Sequence, residues 1–496
     1  MKKAVFIFFL FLLTVYAKAA GTFDFNNICQ QAYTEITKLK FGAAKPLLAK
    51  AQQQNPENII PLYLENYIDF FTLFLNEDPV EYKRLKPVLD NRIDIVKEGP
   101  SSSPLKLYCL SMLYMQKSSL EIKFGETWSA AWDIRRSYLL IKENRKAFPA
   151  FTPNNLLYGG IEAIVGTIPQ GYKWLAGILG LKGSITEGMQ LVRDFVYNQD
   201  NWGRLMNNES VFAYCFLQFH LENKKAETIQ FITAKKLDLI DNHLFAYMAA
   251  NLTKNFKQPD IAKEIILNRN KSVDYLQTPV WDFELGFNYL YHLDTKDAIV
   301  HFEKYVNTFR GKFYIKDVYQ KISWAYYLQG NMPAAEMARK NIINKGGTIA
   351  DADKQALKEA RNNAEWPNNL LLKVRLLNDG GYNKEALQLL IGKTINHFDR
   401  EEDKIEFAYR VGRINDDMNK FDEALYWYNK TIELGERRPE YFAARAALQA
   451  GMIQERKGDK QKAITFYKKC LEMEEEEYKN SIDQKAKAGI ARCKGE

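Results

Sequence analysis

Apolar residues recur along this chain at a spacing near 3.6, not 2, in blocks separated by short polar or Gly-containing turns. That periodicity predicts amphipathic helices in antiparallel pairs, with no convincing strand. A slower beat overlies it. Gly188, Ala226, Ala262, Ala298, Ala335, Ala386, Ala424 and Ala463 are separated by 38, 36, 36, 37, 51, 38 and 39 residues. A period of this length marks a helical repeat array, in which each pair buries its apolar face by stacking on the next. The predicted fold is all-α, a right-handed solenoid of antiparallel helix pairs.

The clearest unit is Trp281 to Val306. Leu285-Gly286 is followed by Tyr289, then by Ala298, Phe302 and Tyr305. Gly286 and Ala298 fall where the two helices cross, and small side chains there let the axes approach to about 8–10 Å. Gly412 and Ala424, and again Gly451 and Ala463, repeat the twelve-residue spacing, with Tyr428 and Tyr467 in the place of Phe302. Tyr319 to Ile342 and Leu370 to Ile391 are further units. Phe212 to Ile232, carrying Ala226, and Leu244 to Ile266, carrying Ala262, are weaker ones. This spacing resembles that of the tetratricopeptide repeat over roughly Asn208 to Cys493. The resemblance implies a superhelix whose inner wall, made by the first helix of each unit, binds a protein or peptide.

Upstream the beat blurs. Ile28 to Ala51 and Leu105 to Ile141 are predicted helix pairs broken at Phe41-Gly42 and Phe124-Gly125, and Asp78-Pro79 splits two more helices. The succession Tyr158-Gly159-Gly160, Gly166-Thr167-Ile168-Pro169, Trp174-Leu175, Leu179 to Ser184 and Glu187-Gly188-Met189 resembles the signature segment of the tetratricopeptide-39 and inclusion-body-clearance family. That resemblance implies a helical fold and no catalytic site. The 51-residue gap between Ala335 and Ala386 holds an insertion, either an extra helix or a hinge. The chain thus divides into 1–19, a leader; 20–207, degenerate helix pairs with a Gly-rich segment; 208–343, repeats; 344–367, the insertion; and 368–496, C-terminal repeats.

The leader changes the picture of where the protein works. Lys2 and Lys3 precede an uncharged run from Ala4 to Ala17, and Ala17-Lys18-Ala19 fits a cleavage site. This is the layout of a secretory signal peptide, too short for the roughly 20 residues of a spanning helix. The expectation is a soluble exported protein, periplasmic where the cell has two membranes. The formal charge of +8 falls to +5 once Lys2, Lys3 and Lys18 leave. No dense basic stripe of the kind nucleic acid needs is evident along the sequence. Cys29, Cys109, Cys215, Cys470 and Cys493 are odd in number and lack C-x-x-C spacing, so buried thiols are expected rather than a disulfide framework or zinc site.

Little in the sequence suggests chemistry. Gly392-Lys393-Thr394 is no phosphate loop, because Leu387 stands where the first Gly is required. His220, His243, His292, His301 and His397 form no ligand pair. No catalytic residue, metal or cofactor is expected. The candidate site is instead the inner wall, at Tyr409, Arg410, Arg413 and Asp416 in one unit and Arg445, Met452 and Glu455 in the next. Tyr, Arg and acids together suit capture of an extended peptide or a helix. The functional expectation is an exported, non-catalytic scaffold. The competing readings are a small-ligand protein or enzyme without a recognisable motif, and a membrane-surface adaptor using Tyr158 to Gly183.

Overall fold

The computed structural model describes residues 21–167, 180–181, 183–361, 365–473 and 479–494. The proposed leader and much of the Gly-rich segment lie outside them. Among the described residues the fold is all-helical, apart from an isolated bridge between Thr22 and Asn58. The described residues form two compact units, those within 21–74, 79–222 and 272–276 in one, and those within 75–78, 223–271 and 277–494 in the other.

The first unit contains α1 (Asn27–Thr37), α2 (Phe41–Gln54), α3 (Ile60–Asn76, whose last two residues join the second unit), α4 (Pro79–Glu98), α5 (Pro104–Phe124), α6 (Thr127–Ala147), α7 (Pro153–Gly166), α8 (Ile185–Tyr197), α9 (Asn201–Leu205) and α10 (Asn207–His220). Gly125, at a φ of 85°, ends α5 at the break the sequence marks; this left-handed conformation is one glycine adopts without steric cost. Gly188 belongs to the beat by spacing, but it packs inside this unit. A Cβ on it would lie 2.5 Å from the Gly159 carbonyl oxygen, so small residues let α7 and α8 cross closely. Tyr33 and Tyr67, both buried, converge on the Glu209 carboxylate. The Tyr33 hydroxyl donates to it at 2.5 Å.

The second unit contains α11 (Lys225–Ala234), α12 (His243–Asn255), α13 (Pro259–Asn268), α14 (Val280–Tyr291), α15 (Thr295–Thr308), α16 (Ile315–Leu328), α17 (Met332–Asn344), α18 (Asp351–Arg361), α19 (Asn369–Asp379), α20 (Asn383–Leu389), α21 (Glu401–Asp417), α22 (Phe421–Gly435), α23 (Phe442–Arg456), α24 (Lys460–Glu472) and α25 (Lys479–Lys494). The small-residue beat acts here as steric fit. A Cβ on Gly286 would overlap the Phe302 ring, one on Gly412 would lie 2.8 Å from Tyr428, and one on Gly451 2.6 Å from Tyr467. In each pair an aromatic ring of the second helix lies on the glycine of the first. Ala262, Ala298, Ala335, Ala386, Ala424 and Ala463 are fully buried. Ala226 is not. It sits exposed in the first turn of α11, and Thr228 fills the buried position two residues on. The spacing carried Ala226 into register, but the helix starts too late for it to face inward.

The insertion forms the helix α18, which packs on α16 with Ala356 and Ala360 buried. Asp353 anchors it. Its carboxylate accepts from the backbone N–H groups of Tyr314 at 2.7 Å and Asp317 at 3.0 Å, at the start of α16. Such an acceptor satisfies amides that a helix start otherwise leaves unpaired. Burial pushes the Asp353 carboxyl up to about 6.

All five cysteines are buried. His243 is buried at the start of α12, where its Nε2 lies 2.7 Å from the Asn270 carbonyl and its ring meets Trp281 edge-on. Burial pushes this imidazole down to about 4. The unfolded chain therefore takes up the proton first as pH falls. Stability from His243 is present above about pH 6.5 and is lost toward pH 4. Between pH 7 and pH 5 the α12–α13 pair is expected to lose about 2 kcal/mol. Asp353 acts in the opposite sense, so the effect must be read locally. Hydrogen exchange at α12 should be faster at pH 5, relative to intrinsic rates, in the wild type and not in His243→Phe.

Candidate functional site

One column of positions runs along the first helices of the pairs in the second unit. Each lies eleven residues before the buried small residue of its pair: Asn251, Phe287, Trp324, Arg375, Arg413 and Met452. Equal offset in equal helix pairs places them on one face. Where the column passes from α16 to α21 it borders a cavity of about 510 Å³. Trp324 and Arg375 line the cavity from α16 and α19. Glu359 comes from α18, Glu402 and Glu406 from α21, and Tyr441 and Phe442 from the start of α23. This volume lies within the usual range for ligand sites.

The wall combines aromatic faces with charge. Lys321 Nζ lies 4.2 Å and the Arg375 guanidinium 4.9 Å from the Trp324 ring centroid, within range for cation–π attraction. Trp366 stacks on Tyr327 at 4.8 Å, carries Arg339 at 4.4 Å, and donates its indole N–H to Glu336. Arg400 bridges Glu365, Glu402 and Asp403. Burial disfavours the charge of Arg375, but Tyr441, Asp379, Glu359 and Glu406 outweigh it and hold the guanidinium above its usual range. Burial, together with Glu406, Glu440 and Asp403, raises the Glu402 carboxyl against the pull of Arg400. The lining cations Arg339, Lys358, Arg375 and Arg400 face the acids Glu359, Glu365, Glu402, Glu406 and Glu440. This near balance of four against five disfavours a polyanion and suits a segment carrying both signs.

The seven residues expected on the wall have different fates. Tyr409 is 3% exposed and packs among Tyr428, Tyr441 and Phe442. It belongs to the core, because its helix turns that face toward α23. Arg410 is 5% exposed and gives two hydrogen bonds to Glu406 Oε1, at 2.9 and 2.7 Å. Arg413 pairs with Asp416 at 3.6 Å and Asp417 at 3.4 Å. Asp416 is buried, accepting from the Tyr428 hydroxyl and from Arg456. Arg445 is half-buried over the Tyr441 ring, and Met452 packs against the local core. Glu455 accepts from the Tyr467 hydroxyl at 2.6 Å and from Arg492. These charges are thus engaged within the chain, and none of the seven lines the cavity.

Contacts between turns close one edge of the array. Lys257, in the turn after α12, donates to the Asn378 carbonyl at 2.9 Å and to Asp417 at 2.5 Å, across 121 and 160 residues. Tyr382 meets the His292 ring at 4.7 Å beside these contacts. The turns after α12, α14, α19 and α21 therefore meet. Sequence reasoning missed Trp324 and Arg375, although the eleven-residue offset that links Arg413 to Ala424 would have found both.

Residues 444–477 match the family model for the tetratricopeptide repeat. No curated protein matches the chain. Similar solved structures include the TPR domain of P58(IPK), at 13% identity over 83% of this chain and 95% of that one, with a TM-score of 0.22. The APC/C hetero-tetramer Cut9-Hcn1 is similar at 12% identity over 92% and 89%, with a TM-score of 0.29. Yeast Tom70 is similar at 13% identity over 86% and 96%, with a TM-score of 0.23. The matched residues do not reach the segment from Tyr158 to Met189. The matched residues form the one pair α23–α24, and the pairs α14–α15 and α21–α22 share its ring-on-glycine packing.

Proposed function

We propose that the protein is an exported, non-catalytic scaffold that holds an extended segment of a protein partner in the cavity of its second unit. One observation carries this reading: internal ion pairs engage Arg410, Arg413 and Lys257, whereas a cavity bordered by Trp324, Arg375 and Tyr441 stays open. Aromatic faces and paired charges at a cavity rim give a peptide both apolar contact and polar register. Export rests on the leader sequence, and a periplasmic place follows for a cell with two membranes.

The test is a pull-down from the envelope fraction with the wild type and two variants, Arg375→Glu and Lys358→Glu. Each variant is expected to weaken capture of the partner at least tenfold while keeping the wild-type far-UV spectrum. Equal capture by wild type and variants would remove the cavity from the binding account.

A further inference from the structure

Helix α6 of the first unit carries an exposed stripe of apolar and basic side chains. Trp128 is 74% exposed, Trp132 49% and Leu139 39%. At 100° per residue these three, with Lys142 and Lys146, fall within an arc of about 80° on one side of the helix. The stripe runs about 27 Å from Trp128 to Lys146 at 1.5 Å per residue. Its N-terminal half is aromatic and its C-terminal half basic. The basic end opens on a shallow cavity of about 320 Å³ lined by Lys142, Arg145, Lys146, Pro149, Asn154 and Asn155, with no carboxylate among them. Arg145 is held over the Tyr158 ring at 4.3 Å with its Nε directed to Asn155. Asp133, near the middle of the helix, is buried and paired with Lys117 and Arg136. Glu143 is exposed about 20° beyond the edge of the stripe, and Lys142, Arg145 and Lys146 outnumber it three to one at this end.

Indole rings favour the boundary between water and acyl chains, where the apolar body is buried and the N–H stays wet. Lysines and arginines beside them meet lipid phosphates. A helix lying flat, with indoles and lysines along one outward face, rests a protein on a membrane without crossing it. Among the described residues, no helix is long and apolar enough to cross one. From this charge complementarity we infer that the α6 stripe docks the protein on an anionic phospholipid surface, with Trp128, Trp132 and Leu139 at the interface and Lys142, Arg145 and Lys146 on the headgroup phosphates. This surface is separate from the second-unit cavity and does not depend on its role.

The full chain should be sedimented with vesicles of phosphatidylcholine alone and of phosphatidylcholine with 30% phosphatidylglycerol. Binding is expected to the anionic vesicles only, and to fall steeply with added salt. Trp128→Ala with Trp132→Ala, and separately Lys142→Glu with Lys146→Glu, should each reduce the bound fraction at least tenfold. These side chains are exposed, so circular dichroism should stay that of the wild type. Equal binding to both vesicle types, no binding to either, or unchanged binding by both double variants would overturn the inference. Binding of an acidic protein lost in the same variants, without vesicle binding, would assign the stripe to that partner instead.

Discussion

Replacing Phe302 by Ala is expected to cost the second unit about 3–5 kcal/mol, the usual cost of removing a buried aromatic ring. The ring is fully buried, lies on Gly286, and meets Phe287 edge-on at 5.1 Å. Truncation would leave a void between α14 and α15 that neither helix can close, since Ala298 is already in contact at the crossing. The partner substitution probes the same fit from the other side. Gly286→Ala gains about 1 kcal/mol of helix propensity, but its methyl would overlap the ring, and overpacking costs about 1–3 kcal/mol. Phe302→Leu in the same chain should recover part of that loss. A double-mutant cycle by urea unfolding measures this, with a coupling of at least about 0.5 kcal/mol expected for groups in contact. Additive losses would mean that ring and glycine do not meet.

The second large effect lies on the inner wall. Lys254 and Glu284 form a buried ion pair at 2.5 Å, joined by a hydrogen bond from Asn251 at 2.9 Å. Lys254 also lies 5.4 and 5.1 Å from the Phe283 and Phe287 ring centres. Glu284→Gln keeps the shape and removes the charge, leaving a buried ammonium that an amide oxygen and two ring faces meet without neutralising it. Breaking one side of such a pair costs about 3–5 kcal/mol. Replacing both, as Lys254→Met with Glu284→Leu, should return stability to within about 1 kcal/mol of the wild type, because the desolvation cost disappears with the charges. Urea midpoints of the three proteins check this. A double variant as unstable as Glu284→Gln would show that packing, not charge, dominates there.

These two sites show what a sequence holds and what it does not. Gly286, Phe302, Gly412 and Tyr428 were legible because steric fit between paired helices recurs at fixed spacing, and repetition raises a weak signal above chance. The helix break at Gly125 was legible because its cause is local. The inner wall was legible as a place but not as a state. Arg410 and Arg413 stand where a groove would present them, yet Glu406 and Asp417, on the same helix, had already engaged them. Tyr409 needed the contact with Phe442 from the next pair to reveal it as core. The closure by Lys257 joins residues 160 positions apart, and no local pattern encodes a contact set by the accumulated turn of the array. Ala226 shows the reverse hazard, a spacing match that the true start of α11 leaves on the surface.

The central claim is that the open cavity beside Trp324 and Arg375 takes a segment of a protein partner. The most direct measurement places a photo-crosslinking amino acid at Lys358, which lines the cavity, and separately at Tyr426, which is 65% exposed on α22. Crosslinking is carried out in the envelope fraction, with and without Arg375→Glu. The account predicts a crosslinked protein from position 358 that disappears in the Arg375 variant and is absent or weak from position 426. The same protein captured equally from both positions, or undiminished by Arg375→Glu, would contradict it.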